Sequence, residues 1–319
     1  MLTIRIENIS VTYWLWKWSE NDFKKPISFA IENARVEFKF IKVGSMEKDR
    51  QVAMNGEVRI FLDSPSQQLL KGLSTIDGTY TQEAATYIHK IAEECVRRLG
   101  IYSRWALGLN WIISEISGIE IEDLFGEQTF GIPNVTWTLD GKEYKEFKPR
   151  LRKKRSRINP MFKSKNLLTP SKWQELQRFI SRNPLPSNEI VELLRIRTRA
   201  AWHEKRVSTL ETVALIEVVI RHKIQRIAME KGISKKKIEN IEDDVTLSVL
   251  LNLLLPMFLN KYENQKYWKY INDLDNLRKL RNQIMHKNIP EEKLDTEKVY
   301  RGVVAAIKIV SFLERKFPD

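Results

Sequence analysis

An arginine and a histidine five residues apart, Arg281 and His286, are the side chains of this sequence best suited to chemistry, and Asn282 directly follows the arginine. RNA cleavage without a metal needs a base to remove the proton of the ribose 2′-OH, and imidazole titrates closest to neutral pH. It also needs a fixed positive charge beside the phosphorus, which a guanidinium supplies as a bidentate clamp. The same spacing also occurs on solvated helix surfaces that have no catalytic role.

The charge of the chain favours a polyanionic partner. Its 319 residues carry a net charge of +13, and an excess of this size points first to nucleic acid. The segment from Lys145 to Lys165 holds ten basic residues and one acidic residue. Its candidate RNA-binding residues are Arg150, Arg152, Lys153, Lys154, Arg155 and Arg157. They would contact phosphates along an RNA strand, and the alternative interpretation is a solvated linker between domains.

Several function classes are disfavoured by composition. A single cysteine, Cys95, excludes an internal disulfide and a multi-cysteine zinc site. The first residues lack the layout of a signal peptide, and the longest apolar run is too short to span a bilayer. No cluster of His, Cys, Asp and Glu has metal-ligand spacing. We therefore expect a cytoplasmic protein without a membrane, metal or cofactor partner.

The N-terminal half is predicted to be an α+β domain, rich in strands and with helices. Apolar residues alternate with polar ones through most of the first ~80 positions, which is the period of a strand. Asn55-Gly56 is a turn signal, residues 81–99 have helical periodicity, and residues 135–147 resemble a hairpin. Trp14, Trp16 and Trp18 also alternate, as one core-facing side of a strand or as a surface on which bases stack.

The C-terminal half is predicted to be an all-α bundle of five or six helices with short loops. Thr169-Pro170 and Asp295 are helix-start signals, and Ser208 with Glu211 forms a capping-box pattern. Asn288-Ile289-Pro290 should end the helix that carries His286. The predicted organisation is therefore an α+β domain at 1–148, a basic linker at 149–168 and a helical bundle at 169–319.

A second candidate pair lies on the helix that follows Ser208. Glu217 sits in the middle of the nearly continuous apolar run from Val213 to Arg221. Such a helix is normally buried, and a buried carboxylate needs a partner. Glu217 and Arg221 are four residues apart and can pair with each other. The alternative is that Glu217 crosses the bundle and orients Arg281 or His286.

These two elements together resemble HEPN-domain ribonucleases of the ApeA-like anti-phage or toxin type, over about residues 187–317. Arg281 to His286 matches the R-x4-6-H signature, and Glu217 with Arg221 matches the E-x3-K/R element on the preceding helix. The resemblance implies a HEPN-like helical bundle, a homodimer, and metal-independent endoribonuclease activity that leaves 2′,3′-cyclic phosphate and 5′-OH ends. One departure is Asn288, where many HEPN toxins paired with a nucleotidyltransferase antitoxin carry a tyrosine.

Roles follow from the resemblance residue by residue. His286 would be the general base or acid, Arg281 would clamp the scissile phosphate, and Asn282 would bind a phosphate oxygen or fix the imidazole. Glu217 and Arg221 would hold Arg281 and His286 in place without contacting the RNA. The implied partners are RNA, with tRNA among the candidate substrates, a second copy of the chain, and an activator derived from phage or nucleotide, or an antitoxin. The alternative is a non-catalytic RNA- or partner-binding protein that uses the bundle to dimerise.

Overall fold

The computed structural model of this chain describes residues 1–47, 50–74, 82–109, 134–147, 167–201, 204–234, 236–237 and 245–318. The side chains of several residues within the described strands and helices, Trp14 among them, are not described. The chain divides into two units, Met1–Leu185 and Pro186–Asp319. The first unit combines an antiparallel sheet with helices, and the second is helical. This confirms the predicted order along the chain, an α+β region followed by an all-α region.

Alternating apolar residues form one six-stranded sheet in the first unit. Its strands are β1 (Leu2–Trp16), β2 (Ile27–Ile31), β3 (Ala34–Glu47), β4 (Arg50–Leu62), β5 (Asn134–Thr138) and β6 (Lys145–Phe147). Each neighbouring pair is antiparallel, in the order β2-β3-β4-β1-β5-β6. Because side chains alternate between the faces of a sheet, Val58, Ile60 and Leu62 enter the core while Arg59 points to the other face.

Among the residues that the structure describes, four helices accompany this sheet: α1 (Glu20–Phe23), α2 (Gln67–Leu73), α3 (Gln82–Leu107) and α4 (Pro170–Arg182). Helix α3 packs on β2, β3 and β4, and buries Ile88, Ile91 and Cys95 in the core. Burial raises the pKa of the Cys95 thiol, so this cysteine is a small apolar core residue. Helix α3 continues past the predicted helical segment through Trp105 to Leu107, and residues 110–133 lie outside the described residues.

Helix α4 belongs to the first unit, whereas the sequence prediction placed it in the second. Trp173 and Leu176 are buried in the sheet's core cluster. The indole Nε1 of Trp173 donates to the carbonyl of Lys25 at 3.0 Å, and that of Trp18 donates to the carbonyl of Leu168 at 2.9 Å. The boundary between units therefore lies at 185/186 rather than at 168/169, because periodicity identifies an amphipathic helix but not the core that buries it.

Asn55 and Gly56 do not form the predicted turn. Both lie inside β4, where they pair with Ser10 and Ile9 of β1. A Cβ atom at position 56 would lie 2.4 Å from the ring of Phe38, which is too close for any side chain. The glycine is therefore explained by the close approach of an aromatic ring to the strand.

The second unit contains five helices among its described residues. They are α5 (Asn188–Ala201), α6 (Lys205–Glu230), α7 in three consecutive segments (Leu247–Val249, the π-helical turn Leu250–Leu254, and Leu255–Met257), α8 (Lys261–Lys287) and α9 (Thr296–Lys316). A short 3-10 turn, Glu291–Lys293, joins the last two. Helix α9 packs against α5, α6 and α8, and Asp295 caps it by accepting from two backbone N–H groups, as the sequence predicted.

The most enclosed helix of this unit is α9, not the run from Val213 to Arg221 on α6. Eleven residues of α9 are buried, and after the first turn its exposed residues, Arg301, Lys308 and Arg315, lie along one side. On α6, Ile216 and Ile220 are buried, but Val218 is 50% exposed. The prediction of an all-round buried α6 is therefore wrong, because a continuous apolar run does not show how many neighbours a helix has. No described helix is both long and apolar enough to cross a membrane.

Candidate functional site

The Arg281–His286 motif occupies the last turns of α8, a helix of 27 residues. Asn260 begins the helix, its side chain accepting from the N–H of Glu263 at 2.8 Å while the Glu263 carboxylate accepts from the Asn260 N–H at 2.8 Å. This reciprocal cap starts α8 at Lys261. The helix ends at Asn288, whose φ of 46° is left-handed. The end of the helix was predicted correctly.

The side of α8 that faces away from solvent packs tightly against α9. Ile271, Leu274, Leu277 and Ile284 are buried. Gly302 of α9 lies directly under Leu277, and a Cβ atom at position 302 would lie 2.8 Å from the Cβ of Leu277. The two helices approach so closely that α8 has one rotational setting, which fixes the direction in which the motif side chains leave the helix.

Within this setting, Arg281 and His286 leave α8 from different sides. At 3.6 residues per turn, residues five apart are about 140° apart around the axis, whereas Asn282 and His286 are about 40° apart. His286 is exposed, and Arg281 and Asn282 are half-buried. The Nη1 of Arg281 donates to Oδ1 of Asn282 at 3.2 Å. Asn282 therefore draws the guanidinium around the helix, toward the side that carries His286.

This arrangement offers an exposed imidazole, a guanidinium held by an amide, and open solvent beyond them. An exposed imidazole can exchange protons with a bound ribose hydroxyl, and a guanidinium can hold a phosphate with two parallel hydrogen bonds. The Oδ1 of Asn282 accepts from the arginine, which is a positioning contact that the sequence did not predict, and the predicted contacts of Asn282 with phosphate or imidazole stay predictions.

The structure does not bring Glu217 and Arg221 to the motif. Arg221 donates through Nη2 to Glu217 at 3.2 Å and to the carbonyl of Val245 at 3.0 Å. This is the internal i,i+4 pair that the sequence left open as one of two interpretations. Among the described contacts of Glu217, none reaches Arg281 or His286. The Glu217 side chain is 34% exposed, so it is also not the enclosed carboxylate that motivated the prediction.

A contact that sequence analysis missed anchors the chain just after the motif. The carboxylate of Glu291 accepts from the backbone N–H groups of Lys205 and Arg206, the latter at 3.0 Å, and so caps α6 from 85 residues away. The predicted capping box at Ser208 is wrong, because Ser208 lies inside α6 and is buried. The Oγ1 of Thr209 instead donates to the carbonyl of Lys205 at 2.8 Å. No local pattern could reveal a cap that comes from another element.

Arg206 is a further cation next to the end of α8. Its guanidinium donates to Oδ1 of Asn288 at 2.8 Å and to the carbonyl of Ile289 at 3.2 Å. These carbonyl and amide oxygens lie at the negative end of the helix dipole, where a cation is stabilising. Arg206 therefore fixes the end of the motif helix at Asn288.

The predicted RNA-binding residues Arg150, Arg152, Lys153, Lys154, Arg155 and Arg157 lie outside the described residues, so their role stays a prediction. Of the three alternating tryptophans, Trp18 belongs to the core, where its ring lies 5.8 Å from that of Trp173. Trp16 is half-buried. Trp18 is therefore excluded from any surface on which bases stack.

A second cluster of charges lies on the outer face of the sheet, around Glu57. Its side chain has no solvent exposure and contacts Arg5, Lys39 and Arg59, at 2.8 Å for Arg5 and 3.2 Å for Lys39. Burial raises the pKa of Glu57, but the hydrogen bond from Arg5 and the charges of Arg59 and Lys39 outweigh it, so the pKa lies below its ordinary value. Arg5 also pairs with Glu7, so this cluster is a structural ion network in which three cations surround two carboxylates.

No group of three or more His, Cys, Asp or Glu side chains among the described residues could hold a metal ion. Comparison of the chain with protein-family models, curated proteins and solved structures returns no match.

Proposed function

We propose that this chain is a metal-independent endoribonuclease of the HEPN type, with a composite active site formed by two copies. The observation that carries the proposal is the exposed His286 on a rigidly packed helix, with Arg281 held by Asn282 one turn earlier. The net charge of +13 fits a polyanionic substrate. A role in anti-phage defence or in a toxin system, with the first unit as its sensor, belongs to the same proposal.

The proposed reaction uses these side chains in one transfer. His286 removes the proton of a ribose 2′-OH, the 2′-oxygen forms a bond to phosphorus, and the bond from phosphorus to the 5′-oxygen breaks. The leaving oxygen takes a proton from the second imidazole of the dimer or from water. Arg281 stabilises the negative charge that grows on the phosphoryl oxygens. The products carry 2′,3′-cyclic phosphate and 5′-OH ends.

The dimer follows from the divergent directions of Arg281 and His286. Side chains about 140° apart on one rigid helix do not meet at one phosphorus atom, whereas two motifs facing each other across a two-fold axis can supply one group each. We expect light scattering at micromolar concentration to give twice the chain mass of 37.7 kDa. A particle of single-chain mass that still cleaves RNA would exclude the composite site.

We expect cleavage to continue in the presence of EDTA. In the proposed reaction the guanidinium of Arg281 supplies the positive charge that a divalent ion supplies in two-metal nucleases. The measurement compares cleavage of a labelled RNA in 10 mM EDTA and in 10 mM MgCl2, at matched ionic strength because RNA binding depends on salt. Activity that disappears in EDTA and returns with added divalent ion would contradict the role of Arg281.

The alternative is a non-catalytic RNA- or partner-binding protein that uses the bundle to dimerise. One observation favours it: Arg281 is half-buried and hydrogen-bonded to Asn282, which is also what a purely structural arginine would do. The two functions differ in product. Binding of RNA without the appearance of 2′,3′-cyclic phosphate ends would favour the alternative.

A further inference from the structure

The solvent-facing side of α8 carries cations, amides and aromatic rings in a pattern that the motif does not explain. Lys261, Lys266, Lys269 and Lys287 are exposed, and no described carboxylate pairs with them. Asn272 and Asn276 lie between them and are also exposed. This face is named the α8 strip below. It extends over nearly the whole helix and reaches His286.

Each acidic residue of α8 forms an ion pair with a cation, so its negative charge is not available to offset the lysines of the strip. Glu263 is half-buried and pairs with Lys316 of α9, and Asp273 is buried and bonds to Arg301 of α9 at 2.8 Å. Asp275 pairs with two cations, Arg278 at 2.9 Å and Lys279 at 2.8 Å. The ammonium group of Lys279 is therefore engaged, and the four lysines without a described carboxylate partner remain available to an anionic ligand.

Two large aromatic side chains stand on the same strip. Tyr262 is 70% exposed and Trp268 is 50% exposed, whereas tryptophan is on average a highly buried residue type. The ammonium of Lys266 lies 6.0 Å from the Tyr262 ring centroid, so cation and ring are neighbours. Trp268 and His286 are separated by about five helical turns, so they project from the same side of α8, about 27 Å apart along the axis.

We propose that the α8 strip binds single-stranded RNA and leads it to His286. Viewed down the helix axis these side chains span about 160° of the solvent side of α8, so an RNA strand that contacts them crosses this side obliquely. Its phosphates contact the lysines, and Tyr262 and Trp268 offer flat surfaces on which unpaired bases stack. A duplex hides its bases in the stack, so exposed aromatic rings favour a single strand. This proposal deepens the proposed function and rests on it only for the direction of the strand toward His286.

The test of charge uses a 12-nucleotide RNA with 2′-O-methyl groups, which binds but lacks the 2′-OH nucleophile. Its affinity for the full chain is measured by fluorescence anisotropy between 50 and 300 mM KCl. We expect Lys266→Gln with Lys269→Gln to reduce the slope of log affinity against log salt by about 1.4, since each lost phosphate contact removes about 0.7. The control, Lys293→Gln with Lys308→Gln, removes the same charge from exposed positions of the same unit, and should leave the slope unchanged. If both double variants had the same slope of log affinity against log salt, the proposal that the α8 strip binds RNA would be wrong.

The test of stacking uses the same probe and the variant Trp268→Ala. Because stacking of one base contributes about 1–3 kcal/mol, we expect affinity for the single strand to fall by about 5- to 150-fold. Affinity for a 12-base-pair duplex should not change. A Trp268→Ala variant that binds the single strand as wild type does would contradict a stacking role, and preferential binding of the duplex would contradict the choice of a single strand.

These binding measurements are separate from cleavage. If the strip variants lose affinity while wild type never cleaves an unmodified RNA, the strip is supported and the nuclease proposal is overturned. If the strip variants bind normally while cleavage depends on His286, the strip is overturned and the nuclease proposal stands.

Discussion

We expect His286→Ala to reduce the rate of RNA cleavage by about 10²- to 10⁴-fold, which is the usual contribution of a general base. The imidazole is exposed at the end of α8, so its removal leaves no cavity and no buried group without a partner. Thermal unfolding of the variant should therefore match that of wild type. The two measurements together separate a chemical role from a structural one.

The chain offers a matched control for this variant. His222 is also an exposed histidine on a long helix of the same unit, but it lies on α6 outside the motif. His222→Ala removes the same side chain and should retain full activity. Unchanged cleavage by purified His286→Ala, under conditions in which wild type and His222→Ala are active, would falsify the catalytic assignment.

We expect Glu57→Gln to destabilise the first unit by about 2–4 kcal/mol. Removal of one partner from a fully buried ion pair typically costs about 3–5 kcal/mol, because a charge is left without its counter-charge. Here Arg5, Lys39 and Arg59 would remain clustered, but their side chains are 24–37% exposed and partly screened. The control is Glu37→Gln on the neighbouring strand, whose partner Arg35 is 61% exposed, and its cost should stay below about 1 kcal/mol.

The pH dependence of this effect has a definite sign. The pKa of Glu57 is lowered in the folded state, so its stabilising contribution is complete above the unfolded pKa of about 4.3 and is lost as the pH falls through the folded pKa. The free-energy difference between wild type and Glu57→Gln should therefore shrink in acid. Urea unfolding followed by tryptophan fluorescence measures it, because seven of the nine tryptophans lie before residue 186. A difference that stays constant from pH 7 to pH 2 would contradict the network.

Signals that depend on neighbours in sequence predicted the structure well. The cap at Asp295 and the end of α8 at Asn288 are local, because a side chain or a left-handed residue acts on a backbone group within a few positions. The hairpin at residues 135–147 is local for the same reason. The alternation of β1, β3 and β4 was visible because each strand has one buried face.

Signals that depend on contacts distant in sequence were misread or missed. Gly56 was interpreted as a turn residue, whereas its requirement is the ring of Phe38, which is close only after β3 and β4 have paired. The start of α6 was displaced to Ser208 because its cap comes from Glu291. Helix α4 was placed in the wrong unit because its amphipathic pattern fits either core.

The candidate site also has features that local sequence predicts and features that depend on tertiary contacts. That Arg281, Asn282 and His286 share one helix was predictable from spacing alone. The contact between Arg281 and Asn282, and the part of Arg206 in fixing the helix end, required the packed structure because both depend on the rotation of α8. The α8 strip was also not anticipated, since the pairing of Asp273 and Glu263 with α9 becomes visible only when the two helices are in contact.

The cap that Glu291 places on α6 has a consequence for hydrogen exchange. The amides of Lys205 and Arg206 are protected by a carboxylate that belongs to the loop following His286, not by their own helix. That loop cannot detach without exposing both amides to solvent, so the exit of the motif helix and the first turn of α6 open in one cooperative step. The rate of deuterium uptake at the Lys205 and Arg206 amides therefore reports how often the end of the motif helix opens.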